Sequence, residues 1–216
     1  RCFDYCLKIL KKNKSIALIN GPISKTHFLK KKFPGITEYV SNKTNSNNPV
    51  MLIYNNELSV SPMTTHLPLK NVSKLIKKKN IIIKKTKINN FFISKLKKKP
   101  NIAVLELNPH YETTNKISKE KTEIIPAIKY LKKKNFKVSG PISADTFFLK
   151  KNIERFDVVI GMYHDQVLTP IKALYNFKAI NVTIGLPFLK VTPDHGPNFE
   201  MIGKNKSDPS SIFYAF

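Results

Sequence analysis

The sequence predicts an α/β fold in which a mostly parallel sheet carries helices on both faces. Short apolar runs rich in Ile and Val alternate along the chain with longer segments that have helical spacing. The short runs end in Gly, Pro or Asn, which is typical of buried strands followed by turns. Because strands and helices alternate, successive strands are expected to lie parallel, with the connecting helices packed on the two faces of the sheet.

The predicted elements follow one another from the start of the chain. An amphipathic helix is predicted over residues 1–13, because its apolar residues recur on one face. A second helix is predicted over 118–134, where a stripe of Ile and Leu begins near two glutamates and ends in lysines, as the helix dipole favours. The predicted strands are 15–20, 50–54, 101–107, 136–139, 157–161 and 179–184.

Composition limits the class of protein. A length of 216 residues with 41% hydrophobic residues is enough to form a folded core. The formal net charge of +24 favours a nucleic-acid-binding protein at first sight, because basic surfaces attract phosphate backbones. Among the 38 basic residues, however, only Arg1 and Arg155 are arginine, and many lysines fall at the ends of predicted helices. Nucleic-acid binding is therefore kept only as the alternative from a different class.

The cellular setting is predicted from what the sequence lacks. No apolar run reaches the roughly 18 residues of a membrane span, and no signal-peptide pattern is visible. Cys2 and Cys6 lie about one helical turn apart and give no framework of spaced disulfides. We therefore expect a reduced, cytoplasmic protein that does not cross a membrane.

Three histidines lie in separate short motifs at or near the ends of predicted strands. They are His66 in Thr64–Pro68, His110 in Asn108–His110 and His164 in Met162–Gln166. Imidazoles contributed by separate strand ends indicate a metal site, because ligands in α/β sheets bind outside the carboxyl ends of the strands. The alternative is three unrelated core or surface histidines, since no pair has the short separation of a local zinc motif.

These motifs belong to a series of blocks that resembles the 4-hydroxythreonine-4-phosphate dehydrogenase family of vitamin B6 biosynthesis. The blocks follow the order of that family and cover nearly the whole chain; they are 21–25, 35–38, 64–68, 108–110, 140–146, 162–166, 181–188 and 194–196. The resemblance implies the two-lobed fold of isocitrate and isopropylmalate dehydrogenases, and it implies a further N-terminal segment that would precede Arg1. We place the lobes at 21–160 and at 1–20 with 161–216.

The resemblance also implies an activity and its cofactors. The family oxidises 4-phosphooxy-L-threonine, a phosphorylated hydroxy amino acid, with NAD and then decarboxylates it to 3-amino-2-oxopropyl phosphate. His66, His110 and His164 match its metal ligands, which are shared within a homodimer and suit zinc, magnesium or cobalt. No Gly-x-Gly-x-x-Gly pattern occurs, so NAD binding is implied by the resemblance alone.

The resemblance implies four substrate-binding positions: Thr37, Lys172 and Asn181 match the family, and Lys190 occupies the fourth position. Lysine and amide groups suit a phosphorylated, zwitterionic substrate. Two departures concern the substrate: Ile36 stands where the family has a His, and Lys190 stands where it has an Arg. These departures leave open a paralogous dehydrogenase that acts on 4-phospho-D-threonate or 4-phospho-D-erythronate. A third alternative is an inactive fragment.

Two aspartates are the candidate catalytic acids or bases. Asp145 lies in an Ala-Asp-Thr block that matches the family, and Asp165 directly follows the proposed ligand His164. Either carboxylate could orient a histidine or move a proton. The structural alternative for both is to cap the helix that follows.

Overall fold

The computed structural model describes residues 2–12, 17–24, 29, 32–33, 35–110 and 117–216. The chain divides into two compact units, which we call the terminal unit (1–54 with 175–216) and the central unit (55–174). The lobes placed from the sequence, 21–160 and 1–20 with 161–216, stay a prediction.

Helices and strands alternate along the described residues. The strands are β1 (Leu18–Ile19), β2 (Val50–Tyr54), β3 (Ser59–Pro62), β4 (Ile102–Leu105), β5 (Val138–Ile142), β6 (Val158–Gly161), β7 (Ile180–Ile184) and β8 (Lys190–Pro193). The helices are α1 (Cys2–Lys12), α2 (Ile36–Lys43), α3 (Leu69–Leu75), α4 (Lys78–Leu96), α5 (Ile125–Lys133), α6 (Ala144–Phe147), α7 (Lys150–Ile153), α8 (His164–Tyr175) and α9 (Ser210–Ala215). A π-helical turn, Glu120–Ile124, directly precedes α5, and a 3₁₀ turn covers Phe199–Met201. The α/β class is therefore confirmed.

The central unit contains a wholly parallel sheet. Its strand order is β3-β6-β4-β5, and every pairing between neighbours is parallel. All residues of β3, β4 and β6 are buried, as expected for parallel strands that are covered on both faces. Because the strands are parallel, their carboxyl ends meet at one edge of the sheet.

The terminal unit contains a mixed set of strands in the order β1-β8-β7-β2. β1 and β8 are parallel, whereas β7 is antiparallel to both β8 and β2. Its core includes Leu7 and Leu10 of α1, with Phe3 and Cys6 packed against the same cluster. The amphipathic face predicted for the first helix is therefore confirmed for the described residues Cys2–Lys12.

Two predicted elements differ in detail from the structure. Of the strand predicted over 15–20, only Leu18–Ile19 is a strand, and residues 15 and 16 lie outside the described part of the chain. The helix predicted over 118–134 begins as the π-helical turn and continues as α5, with Ile124, Ile128 and Leu131 buried. Among the described residues, no helix has both the length and the apolar character needed to cross a membrane.

A buried lysine lies in the middle of α4. Lys85 is 0% exposed, and its Nζ lies 3.7 Å from the centroid of the Phe136 ring and 3.4 Å from Oδ1 of Asn89. Burial lowers the pKa of Lys85 to about 7, and the positive charge of Lys99 adds to the effect. The unfolded chain therefore binds more protons than the folded chain between about pH 7 and the ordinary lysine pKa, so this side chain destabilises the fold most at and below pH 7.

Replacing this lysine with an apolar residue of similar length should stabilise the protein. We expect Lys85→Met to raise the free energy of unfolding at pH 7 by about 1–3 kcal/mol, because the desolvated ammonium is removed while its volume is kept. The gain should shrink toward pH 10, where Lys85 is neutral in the folded state. Urea unfolding at both pH values measures this, and Lys95→Met, at an exposed position of the same helix, should change stability by less than about 0.5 kcal/mol. A Lys85→Met variant less stable than the parent at pH 7 would contradict the prediction.

Candidate active site

The three motif histidines all follow strands of the central unit. His66 comes shortly after β3, His110 shortly after β4, and His164 begins α8 just after β6. We call the carboxyl edge of β3, β6 and β4 the histidine edge, and it is the edge at which ligands bind in parallel sheets.

Two of the histidines are neighbours. The ring centroids of His66 and His164 lie 5.6 Å apart, with the ring planes at 38°. Nδ1 of His164 lies 2.6 Å from Oδ1 of Asp165, whose side chain is 79% exposed. When Nδ1 donates to this carboxylate, Nε2 is left as the ring atom that can bind a ligand. Asp165 therefore orients His164, and it does so from the first turn of α8 rather than as its cap.

The third histidine, His110, interacts electrostatically with the other candidate aspartate, Asp145. His110 has a positive φ of 51°. Asp145 accepts a hydrogen bond from Oγ of Ser143 at 2.8 Å, and this bond is the main cause that lowers the pKa of Asp145. Because α6 begins at Ala144 with Ser143 as its N-cap residue, the alternative that Asp145 caps the following helix is wrong.

The structure thus forms two groups at the histidine edge, His66 with His164 and Asp165, and His110 with Asp145. Among the described residues, no three His, Cys, Asp or Glu side chains converge on one ion position. Residues 111–116, which follow His110 and include the Tyr111-Glu112-Thr113 segment, lie outside the described residues.

Sequence reasoning missed a buried carboxylate that holds the segment before His110. Glu120 is 0% exposed and accepts hydrogen bonds from the backbone N–H groups of Leu107 and Asn108, each at 2.8 Å, and from Nδ2 of Asn108. Burial raises the pKa of Glu120, whereas hydrogen bonds from the backbone N–H of Asn108 and other donors lower it. The hydrogen bonds together outweigh burial, so the pKa lies below its ordinary value. Glu120 is therefore a charged anchor for residues 107–108. From the sequence, Glu120 is predicted only as a glutamate near the start of a helix.

In the terminal unit, two predicted substrate positions share one face of the strands. Lys190 on β8 pairs with Thr183 on β7, and Asn181 on β7 pairs with Thr192, so their side chains point to the same side. Leu18 on β1 also pairs with Lys190, which brings Asn20, two residues later, to this side. We call this set, Asn20, Asn181, Thr183 and Lys190, the polar face.

The polar face contains buried groups that lack partners. Oδ1 of Asn20, Oδ1 of Asn181 and Oγ1 of Thr183 are buried without a hydrogen-bond partner among the residues that the structure describes. Lys190 is 2% exposed, and burial lowers its pKa to about 8, although the Glu38 carboxylate of α2 acts in the opposite direction. Buried polar groups are nearly always paired in native proteins, so a cluster of such groups is typical of a ligand site. Asn20 and Thr183 were not predicted, because the sequence does not show which buried polar side chains lack a hydrogen-bond partner.

The remaining predicted positions lie in two places. Thr37 is half-buried in the first turn of α2, next to Glu38, and so belongs to the helix that approaches Lys190. Lys172 lies in the last turn of α8, on the same helix as His164. Ile36 packs against the apolar core of the terminal unit. At the position where the resemblance implies a substrate-binding His, the side chain therefore packs in the apolar core.

Each unit has a feature that is typical of ligand-binding α/β proteins. The central unit has paired imidazoles at the carboxyl edge of a parallel sheet, and the terminal unit has buried polar groups without a partner among the described residues. Within that class, the chain matches over residues 1–216 the family model described as pyridoxal phosphate biosynthetic protein PdxA, and it belongs to that family.

Individual relatives agree with this assignment. The chain is 40% identical over 216 residues to a 4-hydroxythreonine-4-phosphate dehydrogenase of Sulfurihydrogenibium sp., with 98% of this chain and 66% of that protein covered. It matches the crystal structure of a 4-hydroxythreonine-4-phosphate dehydrogenase from Klebsiella pneumoniae with a TM-score of 0.82 and 28% identity, covering 100% of this chain and 67% of the other. An isocitrate dehydrogenase from Methylococcus capsulatus matches with a TM-score of 0.53 at 10% identity over 98% of this chain and 68% of the other, which confirms the predicted fold relationship. The chain therefore spans about two thirds of the length of these relatives.

Proposed function

We propose that this chain takes part in the NAD-dependent, divalent-metal-dependent oxidation and decarboxylation of 4-phosphooxy-L-threonine to 3-amino-2-oxopropyl phosphate. The proposal is supported by membership of the family and by the names of its relatives, which are 4-hydroxythreonine-4-phosphate dehydrogenases. The single observation that carries it is the pairing of His66 and His164 at the carboxyl edge of a parallel sheet.

The donor chemistry at the histidine edge fits a divalent cation. Two imidazoles with centroids 5.6 Å apart are close enough to contact one ion, and Asp165 holds the ring of one of them. His66 and His164 would hold the cation together with His110, from the same chain or from the partner subunit of a homodimer. When bound, the cation supplies a Lewis acid that favours loss of the alcohol proton and stabilises negative charge on the ketone oxygen.

The other residues would bind the substrate and move protons. Asp165 contacts His164, and Asp145 interacts electrostatically with His110. Both carboxylates are exposed, and they would accept or return the protons that oxidation and decarboxylation require. Lys172 and Lys190 would contact the anionic groups of the substrate, and Asn181 and Thr37 would donate and accept hydrogen bonds. Oδ1 of Asn20 and Oγ1 of Thr183 are buried without a partner among the described residues, and they would accept hydrogen bonds from a zwitterionic substrate.

The proposal is tested by NADH formation with purified protein. We expect turnover with 4-phosphooxy-L-threonine that is lost after chelation and restored by zinc, cobalt or magnesium. 4-Phospho-D-threonate and 4-phospho-D-erythronate are the comparison substrates, and preference for either one would favour the paralogous activity that Ile36 and Lys190 keep open. Salt-sensitive DNA retention without metal-dependent turnover would instead favour the nucleic-acid-binding alternative.

A further inference from the structure

A side-chain amide connects two of the strand ends that carry the histidines. Gln166, in the first turn of α8, accepts a hydrogen bond at Oε1 from the backbone N–H of Met162 at 2.6 Å. Its Nε2 donates to the backbone carbonyl of Glu106 at 2.8 Å. Met162 directly follows β6, and Glu106 directly follows β4, so a single amide spans the carboxyl ends of neighbouring strands.

The third strand end is tied to the same point. Oγ1 of Thr64, which follows β3, donates to the carbonyl of Met162 at 2.9 Å, and this bond is buried. The backbone N–H and the carbonyl of Met162 are thus both bonded to side chains from other segments. Each tied residue shortly precedes a histidine: Thr64 precedes His66, Met162 precedes His164, and Glu106 precedes His110.

The chemistry of the connection requires an amide. The backbone N–H of Met162 needs an acceptor, and the carbonyl of Glu106 needs a donor, so the side chain between them must supply one of each. A carboxylate would place a second acceptor against the Glu106 carbonyl, and an apolar side chain would leave both groups unpaired. Gly161 provides the space, because a Cβ at that position would collide with Val167 and come within 3.0 Å of Oε1 of Gln166.

We propose that Gln166 is a positioning residue for the metal site. Its amide, with the hydroxyl of Thr64, fixes the spacing of the three segments that end in His66, His110 and His164, and so determines the affinity for the divalent cation. The inference rests on the proposed function, because it assumes that these histidines bind an ion. Replacing a residue that positions metal ligands without binding the metal itself typically weakens metal affinity by about 10- to 100-fold.

The test compares the two ends of the same pair of strands. Gln166→Met removes both hydrogen bonds at the carboxyl ends of β4 and β6 while keeping a similar volume. Asn101→Leu is the matched control, because Nδ2 of Asn101 donates to the carbonyl of Arg155 at 2.7 Å and joins the segments before the amino ends of those strands. Zinc affinity is measured by calorimetry on the full chain, and stability is measured by urea unfolding of the metal-free protein.

We expect Gln166→Met to weaken zinc binding by about tenfold or more, whereas Asn101→Leu leaves the affinity within about twofold of the parent. If Gln166→Met does not fold, Thr64→Val provides the test, because it removes only a hydroxyl; the expected loss of zinc affinity is about three- to tenfold. Equal zinc affinity in the parent and in the folded variants overturns the inference about Gln166 but leaves the proposed metal site standing. A parent chain that binds no zinc, cobalt or magnesium overturns the proposed metal site, and the inference with it.

Discussion

His164→Ala is expected to reduce turnover by about a hundredfold to a thousandfold and to weaken metal binding to the same degree. His164 pairs with His66 and is oriented by Asp165, so its loss removes one of the two imidazoles that lie together. The ring is partly exposed at the start of α8, so the substitution creates no large core cavity. The expected defect is therefore one of metal binding and chemistry rather than of folding.

NADH formation and zinc affinity measure this effect, and two further variants serve as a graded substitution and a control. Asp165→Asn should keep the metal but lower its affinity by about tenfold, because the amide can still accept from Nδ1 but lacks the charge. Glu154→Gln, at an exposed position of the same unit, should leave both quantities unchanged. Normal turnover in a folded His164→Ala variant would remove the observation on which the proposed function depends.

The sequence predicted the strands whose residues are apolar and missed those whose buried residues are polar. Val50–Tyr54 was predicted with its observed bounds because it is a continuous apolar run. β3 was missed although it is buried throughout, because two of its four residues are serines. Oγ of Ser59 bonds the carbonyl of Asn55, so a local hydrogen bond satisfies the buried hydroxyl. β8 was missed for a similar reason, since it begins with the buried Lys190.

The candidate site also has parts that could be predicted from the sequence and parts that could not. The placement of His110 and His164 at one edge follows from a rule about strand ends that needs only the predicted strands 101–107 and 157–161. The placement of His66 beside His164 depends on β3, which the sequence did not predict. The roles of Gln166 and Glu120 could not be predicted, because their partners are backbone groups of Met162, Glu106, Leu107 and Asn108. These backbone groups lie just beyond the strand ends, where the sheet no longer supplies their hydrogen-bond partners. Their positions depend on the three-dimensional structure and cannot be read from the sequence. A motif such as Met-Tyr-His-Asp-Gln marks the residue but does not show what it bonds.

Substrate affinity is expected to fall as the pH rises through about 8. Lys190 is buried on the polar face, and burial lowers its pKa to about 8. Its ammonium form attracts an anionic substrate, whereas the neutral amine does not. Because kcat/KM reports the ionisation of the free enzyme, it should decline by about tenfold per pH unit above this pKa. The same lowered pKa means that stability increases with pH between about 8 and the ordinary lysine pKa, so a loss of folding does not explain the decline.

Two substitutions separate the charge of Lys190 from its size. Lys190→Met should lower kcat/KM by about a hundredfold at pH 7, because truncating a charge that contacts an anion in a buried site costs several kcal/mol, about 2–5. Lys190→Arg should keep kcat/KM high at pH 9, since a guanidinium stays charged throughout this range. Lys206→Arg, at an exposed position of the terminal unit, should leave the pH profile unchanged. A profile that still declines near pH 8 in the Lys190→Arg variant would assign the ionisation to another group, and Lys190 would then be a structural lysine of the polar face.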